Sequence, residues 1–128
     1  MPLEKQLSIF VKNKVGSLSQ VSEALSQDNI NIRAVYTVDD VDWGIIGLIP
    51  DDMGKAKKHL HELGYKVAET TVLTIELDNE PGALAKISKK LSEQNINIVQ
   101  TFATAAGNRS LVVLLTTDDK KAEQILGQ

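Results

Sequence analysis

The chain repeats itself, and this repeat constrains its fold more than any other feature of the sequence. A shift of 66 residues, the distance from Gly16 to Gly82, aligns much of the first half with the second half. Under this shift residues 25–32 (LSQDNINI) fall on residues 91–98 (LSEQNINI), and the last four positions are identical. Chance does not produce this match together with the aligned glycines, so the sequence indicates an internal duplication. The chain therefore has to form two copies of one structural unit.

The first copy alternates between strand and helix patterns. Apolar residues at every second position predict strands, and apolar residues three or four positions apart predict helices. The predicted elements are a strand at 7–11, a helix at 17–28 with Ser17 as its N-cap, strands at 30–38 and 43–49, a helix that starts at Asp51 or Asp52 and ends at Gly64, and extended chain from residue 65. Asn29 suits the exit from the first helix, because asparagine tolerates left-handed backbone angles.

The order βαββαβ predicts the ferredoxin-like arrangement, in which two helices cover one face of a four-stranded antiparallel sheet. The second copy repeats it with strands at 72–77, 96–104 and 110–116, a helix at 83–94 and a final helix capped by Asp118, and it lacks the last strand. We therefore expect an α+β protein of two ferredoxin-like units in tandem, at residues 1–71 and 72–128. Residues 66–77 contain no Gly, Pro or Asn, which predicts one long strand shared by the two units.

The missing last strand has a consequence for assembly. It leaves one sheet edge of the second unit without a partner strand in the predicted fold. Unpaired edges expose backbone donors and acceptors that pair readily with another chain. The sequence therefore predicts a homodimer.

The turn from the first strand to the first helix of each copy is the candidate binding element. In the second copy the segment 79–84 (NEPGAL) leads from an apolar strand directly into a helix. The first N–H groups of a helix have no partner within it, and the helix dipole favours an anion beside them. Gly82 lets the chain turn tightly and lets a ligand approach the backbone closely. The turn therefore suits a small carboxylate, although Pro-Gly also serves simply as turn chemistry.

Composition excludes several classes of function. The formal charge of −3 argues against nucleic acid as a partner, since phosphate binding needs a concentrated basic surface. No apolar stretch reaches the roughly 18 residues of a membrane span, and the N-terminus lacks a signal-peptide pattern, so we expect a cytoplasmic protein without a membrane partner. The chain has no cysteine, which removes disulfides and thiolate metal sites.

Catalytic and metal-binding patterns are also missing from the sequence. No paired carboxylates, serine–histidine pair or phosphate loop stands out, and the two histidines, His59 and His61, are two positions apart on a predicted helix and point in different directions. We therefore expect no enzymatic activity, no cofactor and no metal. Arg109 is interpreted as a solvent-facing turn residue.

The order strand, Asn-Glu-Pro-Gly turn, helix and Asn-Ile-Asn-Ile resembles the ACT domain, a family of small ferredoxin-like modules that regulate amino-acid metabolism by binding amino acids. The whole chain resembles two ACT domains in tandem without an attached catalytic domain. The first copy departs from the family's pattern, because Val15 replaces the proline of the turn. Its turn is therefore less preset than that of the second copy.

The resemblance implies an amino-acid ligand between ACT domains, where the strand–helix turn of one domain faces the second strand of its neighbour. Carried over to this chain, the turn contacts are Asn13, Lys14, Val15, Gly16, Ser17, Leu18, Asn79, Glu80, Pro81, Gly82, Ala83 and Leu84. The facing contacts are Asn31, Ile32, Asn97 and Ile98.

Two questions stay open at this stage. Asn13 and Asn79 suit either a ligand or the turn itself, and Asp78 or Glu80 could pair with a ligand ammonium or be solvated. The chain could be an amino-acid sensor, or it could be a regulatory subunit that docks on a biosynthetic enzyme and controls it in trans, like the small ACT-containing subunit of acetolactate synthase. An exposed apolar patch would favour the second hypothesis.

Overall fold

The computed structural model describes residues 3–127, which form six strands and four helices in the order that the duplication predicts. The elements are β1 (Leu3–Lys12), α1 (Ser17–Gln27), β2 (Ile32–Asp39), β3 (Trp43–Pro50), α2 (Met53–Glu62), β4 (Lys66–Asp78), α3 (Ala83–Glu93), β5 (Ile98–Ala106), β6 (Arg109–Thr116) and α4 (Asp119–Leu126). β4 runs without a break for 13 residues, which confirms the predicted long strand.

The described residues divide into two compact units. The N-terminal unit comprises residues 5–70, and the C-terminal unit comprises residues 3–4 and 71–127. Leu3 and Glu4, which the sequence assigned to the first domain, thus belong to the C-terminal unit. Leu3 packs against the apolar core of that unit, and Glu4 accepts a hydrogen bond from the hydroxyl of Thr74.

In the N-terminal unit, β3 pairs antiparallel with both β1 and β2, and the first residues of β4 continue the order β2-β3-β1-β4. Both helices cover one face, because alternate strand residues point toward the apolar sides of α1 and α2. The centre of this core consists of the fully buried residues Leu7, Ile9, Val21, Leu25, Leu48 and Leu60. The unit thus has the ferredoxin-like arrangement that the sequence predicted.

The C-terminal unit repeats this design, with β6 paired antiparallel to β4 and β5. Its core consists mainly of Leu73, Ile75, Leu91, Leu114, Ala122 and Leu126. No strand follows α4 within the described residues, as expected, and the two residues at the start of β1 lie beside β4 in the order β1-β4-β6-β5. The edge that the sequence left unpaired is therefore occupied over these two residues.

The helix ends follow the predicted chemistry in most places. The side chains of Asp52 and Asp118 each accept a hydrogen bond of 3.0 Å from a backbone N–H in the first turn of α2 and α4. Asn29 and Asn95 follow α1 and α3 with positive φ angles of 56° and 59°, which confirms the predicted left-handed exit. Within residues 3–127, no helix combines the length and apolar character needed to cross a membrane.

Candidate functional site

The two strand–helix turns have nearly the same backbone. Gly16 precedes α1 with φ 91°, and Gly82 precedes α3 with φ 89°, so both lie in the left-handed region. A Cβ at either glycine would meet no heavy atom within 4 Å. A side chain at these positions would therefore cost backbone strain without causing a steric clash.

The predicted N-cap of α1 is wrong. Gly16, and not Ser17, occupies the N-cap position, and Ser17 is the first helical residue. The Ser17 hydroxyl donates a hydrogen bond of 2.8 Å to the carbonyl of Lys12 and makes no capping bond. The left-handed glycine turns the chain one residue earlier than a serine cap would, so the helix begins without a side-chain acceptor over its first N–H groups.

Both turns consequently present unused backbone donors. At the first helical residue of each copy the N–H group makes only a long bond, of 3.4 Å from Ser17 to Lys14 and 3.3 Å from Ala83 to Glu80. No hydrogen bond within the described residues uses the neighbouring N–H groups, which are those of Gly16, Leu18, Ser19, Gly82, Leu84 and Ala85. Donors of this kind at a helix N-terminus favour a carboxylate.

The two turn asparagines fix the turn to the adjacent hairpin. The Asn13 side-chain amide donates a hydrogen bond of 2.7 Å to the carbonyl of Asp40, and that of Asn79 donates one of 2.9 Å to the carbonyl of Gly107. Their backbone N–H groups also bond to the hairpins, over 3.0 Å to Asp42 and 2.9 Å to Asn108. The amide nitrogens thus hold the turn in place, whereas the side-chain oxygens accept no hydrogen bond within the described residues.

The N-terminal turn opens into a cavity of about 320 Å³. The predicted residues Asn13, Lys14, Gly16, Ser17 and Leu18 line it, whereas Val15 is fully exposed. The other lining residues were not predicted from the sequence; they are Val11, Lys12, Ser19, Thr37, Asp39, Ile45 and Ile46. The signal for them was the antiparallel order of the ferredoxin-like sheet, which brings the end of β2, the start of β3 and the end of β1 to the same edge, with β3 in the middle.

The predicted facing residues of this unit lie elsewhere. Asn31 and Ile32 line a separate cavity of about 480 Å³ together with Asn29 and Asp51. The N–H of Asn31 donates a hydrogen bond of 3.1 Å to the Asp51 carboxylate, and the Asn31 carbonyl accepts one of 3.0 Å from the Asp51 N–H. The two predicted sets therefore do not meet in the N-terminal unit, because α1 returns the chain to the opposite end of the sheet before β2 begins.

The corresponding strand start in the C-terminal unit has the same arrangement with a different partner. The N–H of Asn97 donates a hydrogen bond of 3.1 Å to the Thr117 hydroxyl, and the Asn97 carbonyl accepts one of 3.0 Å from the Thr117 N–H. Ile98 begins β5 and packs against the core of its unit. In both copies the backbone N–H and C=O of this asparagine are already hydrogen-bonded within the unit. Only its side chain is therefore available to a ligand.

The charges around the two turns are opposite. Lys12 and Lys14 flank the N-terminal turn, whereas Asp78 and Glu80 occupy the equivalent positions of the C-terminal turn. Arg109 is more than a solvent-facing turn residue, since its guanidinium lies 2.6 Å from the Asp78 carboxylate and 3.8 Å from that of Glu76. No ion pair among residues 3–127 involves Glu80, which leaves Glu80 as the candidate partner for a ligand ammonium. The same part of the chain contains no group of three or more metal-ligating side chains.

The chain matches a known protein family and several solved structures. The model of the family described as ACT domain pair matches residues 2–127. No match was found among curated proteins. The solved structure of protein BT0572 from Bacteroides thetaiotaomicron is 37% identical, covers 98% of this chain and 87% of its own, and superposes with a TM-score of 0.94.

More distant structures share the fold. The ligand-free regulatory subunit of aspartate kinase from Thermus thermophilus is 14% identical, with a TM-score of 0.73 and coverage of 98% of this chain and 93% of its own. The corresponding subunit from Thermus flavus is also 14% identical, with a TM-score of 0.66 and coverage of 99% and 93%. These two likenesses concern the fold alone.

Proposed function

Because this chain belongs to the ACT domain pair family, we propose that it is a non-catalytic, allosteric regulatory protein that binds a free amino acid at its strand–helix turns. The observation that supports this most strongly is the pair of glycine-initiated helices whose first N–H groups are unused. These donors would hold the ligand carboxylate, and the Asn13 and Asn79 side-chain oxygens would accept from its ammonium.

The ligand would complete its contacts on a neighbouring ACT unit. Asn31 and Ile32, or Asn97 and Ile98, would face the turn from that neighbour, since Asn31 and Ile32 lie in a different cavity from the turn of their own unit. A homodimer would supply such a neighbour. The ligand would then favour the paired state by its differential affinity for that state, which is all that regulation requires.

A thermal-shift screen against the free amino acids tests this function. A ligand at about 100 times its dissociation constant stabilises by roughly 2.7 kcal/mol, which moves the midpoint of a small domain by several degrees. Gly16→Val should reduce the shift, because a β-branched residue strains the turn that presents the donors.

Gly64→Val is the matched control for this variant. Gly64 has φ 90° and a Cβ there would also meet nothing within 4 Å, but Gly64 follows α2 and lines a separate cavity, not the cavity at the turn. The control should lose stability and keep the ligand-induced shift. The proposal fails if a folded Gly16→Val, Gly82→Val double variant keeps the full shift.

A second candidate function is that of a regulatory subunit that docks on an amino-acid biosynthetic enzyme. Its support is the apolar surface at one end of the N-terminal unit, where Val15 and Val41 are 101% and 84% exposed. Sedimentation of the protein with a purified candidate enzyme would test it. Val15→Ser with Val41→Ser should weaken the complex, whereas Val99→Ser, at an exposed position of β5, should not.

A further inference from the structure

A second cavity of the N-terminal unit, of about 310 Å³, concentrates aromatic and basic side chains. The chain has one Trp, two Tyr and two Phe residues, and three of these five, Phe10, Trp43 and Tyr65, line this cavity. Its basic residues are Lys12, Lys14 and Lys66. Within residues 3–127, no Asp or Glu side chain lines it, so its lining carries three positive charges and no negative one.

The lysines are available to an anion. No ion pair found in the described part of the chain involves any of these three ammonium groups. The Lys66 ammonium lies 5.8 Å from the centroid of the Phe10 ring, which places a cation over an aromatic face. An anion that binds here would be attracted by three ammonium groups, and no lining carboxylate would repel it.

Regular structure positions these groups. Phe10 and Lys12 are on β1, and Trp43 lies directly opposite Lys12 in the ladder with β3. Tyr65 is held at the end of α2 by its N–H, which donates 3.1 Å to the carbonyl of Leu60, and it packs against the core. Side chains on such elements keep their relative positions better than side chains on loops.

The other copy of the repeat lacks these aromatic and basic residues. At the positions of Phe10, Lys12, Lys14 and Trp43 the C-terminal unit carries Glu76, Asp78, Glu80 and Arg109. Every one of these changes reverses a charge or removes an aromatic ring. The aromatic and basic lining is therefore a property of the N-terminal copy and not a requirement of the repeated fold.

We propose that this cavity binds a small aromatic carboxylate, that is, a single planar ring bearing an anionic group. The ring would stack on Trp43 and Phe10, and the carboxylate would lie among the three ammonium groups. The volume is near the lower limit of known ligand pockets, roughly 300 Å³, which suits one ring. The lack of a lining carboxylate disfavours a zwitterion, so this ligand differs in class from the free amino acid of the turn.

The two sites are neighbours and share part of their lining. Four residues line both cavities, namely Val11, Lys12, Lys14 and Ser17, whereas Trp43, Tyr65 and Lys66 line only the second. Occupancy of one would therefore alter the charge available to the other. The second site nevertheless stands without the first, because its test uses the unshared residues.

Benzoate is the probe, and the indole N–H of Trp43 is the reporter. Trp43 is the chain's single tryptophan, so its indole gives one cross-peak in a proton–nitrogen correlation spectrum. We expect benzoate to shift this peak saturably. Benzamide, which lacks the charge, and cyclohexanecarboxylate, which lacks the aromatic ring, should each bind at least about tenfold more weakly, which corresponds to about 1.4 kcal/mol.

Two variants and one control locate the site. Lys66→Glu should weaken benzoate binding about tenfold or more by the same indole signal, and Trp43→Leu should do so by calorimetry. Lys58→Glu makes the same charge change on α2, where Lys58 lines a different cavity, and should leave the affinity unchanged. The proposal is overturned if benzoate gives no saturable shift, if either analogue binds as tightly, or if a folded Lys66→Glu variant keeps the wild-type affinity.

Discussion

At the strand–helix turn, the two copies of the repeat share a backbone and differ in the charges that surround it. The glycine φ angles agree within a few degrees, at 91° and 89°, and in both copies a turn asparagine bonds to a hairpin carbonyl. The flanking side chains are Lys12 and Lys14 in one copy and Asp78 and Glu80 in the other. The duplication thus kept the backbone that would hold a carboxylate under the proposed function, and it diverged in the side-chain charges beside that backbone.

The copies also differ in how far the turn is preset. Pro81 fixes one backbone angle in the C-terminal turn, whereas Val15 occupies this position in the N-terminal turn. The hydrogen bonds before it are the same, since the N–H groups of Lys14 and Glu80 each donate 2.9 Å to the carbonyl two residues earlier. The difference therefore concerns mainly the freedom of the unfolded chain, and folded geometry is conserved.

The largest expected effect on stability tests whether the two turns have the same backbone conformation. Gly16→Val and Gly82→Val should each lower the free energy of unfolding by about 1–3 kcal/mol, because valine is strained at a positive φ. Chemical denaturation of both variants measures this. Equal losses would support the shared backbone, and a loss at only one turn would contradict it.

The next effect concerns the asparagine bonds to the hairpins. Asn13→Ala and Asn79→Ala should each cost about 0.5–1.5 kcal/mol, because each removes a hydrogen bond to a hairpin carbonyl. The free energy of unfolding of each variant checks this value. A cost near zero at either position would show that the amide does not hold the turn.

Val15→Pro converts the first turn to the pattern of the second. No hydrogen bond within residues 3–127 uses the Val15 N–H, so the proline removes none. We expect a gain of about 0.4–1 kcal/mol, because the unfolded chain loses conformational freedom. A lower melting temperature would mean that the two turns differ in backbone at this residue.

The smallest expected effect on stability concerns the ion pair between Arg109 and Asp78, which is present only in the C-terminal copy. Arg109→Ala should cost about 0.2–1 kcal/mol, because the pair with Asp78 is exposed to solvent. The cost should shrink at high salt, which screens this pair. Denaturation at low and high ionic strength measures the difference, and a cost that is independent of salt would assign the effect to packing.

Most of the fold could be predicted from local sequence patterns. Apolar periodicity located the elements of the first copy, the repeat located those of the second, and the absence of Gly, Pro and Asn from residues 66–77 located the long β4. The helix α1 ends within one residue of its predicted limit. What the pattern could not supply was non-local pairing. The assignment of Leu3 and Glu4 to the C-terminal unit depends on which strand lies beside β4, and local periodicity contains no information about this.

The candidate site was predictable in its backbone and less so in its side chains. The glycine turn followed from the repeat, but the cap at Gly16 depends on a left-handed angle that a Ser17 cap would not need. Thr37 and Asp39 reach the first cavity only through strand register, and Trp43 and Lys66 line the second cavity from distant segments of the chain. The pair between Arg109 and Asp78 arises in the same way, from their opposition in the β4–β6 ladder.

The most direct test of the central claim is an amide titration by proton–nitrogen correlation spectroscopy, with each free amino acid and its carboxamide as ligands. We expect an amino acid to shift the N–H peaks of Gly16, Leu18, Ser19, Gly82, Leu84 or Ala85 saturably. The carboxamide, which lacks the anion, should bind much more weakly. Binding that moves none of these peaks, or no saturable change at either turn with any amino acid, would contradict it.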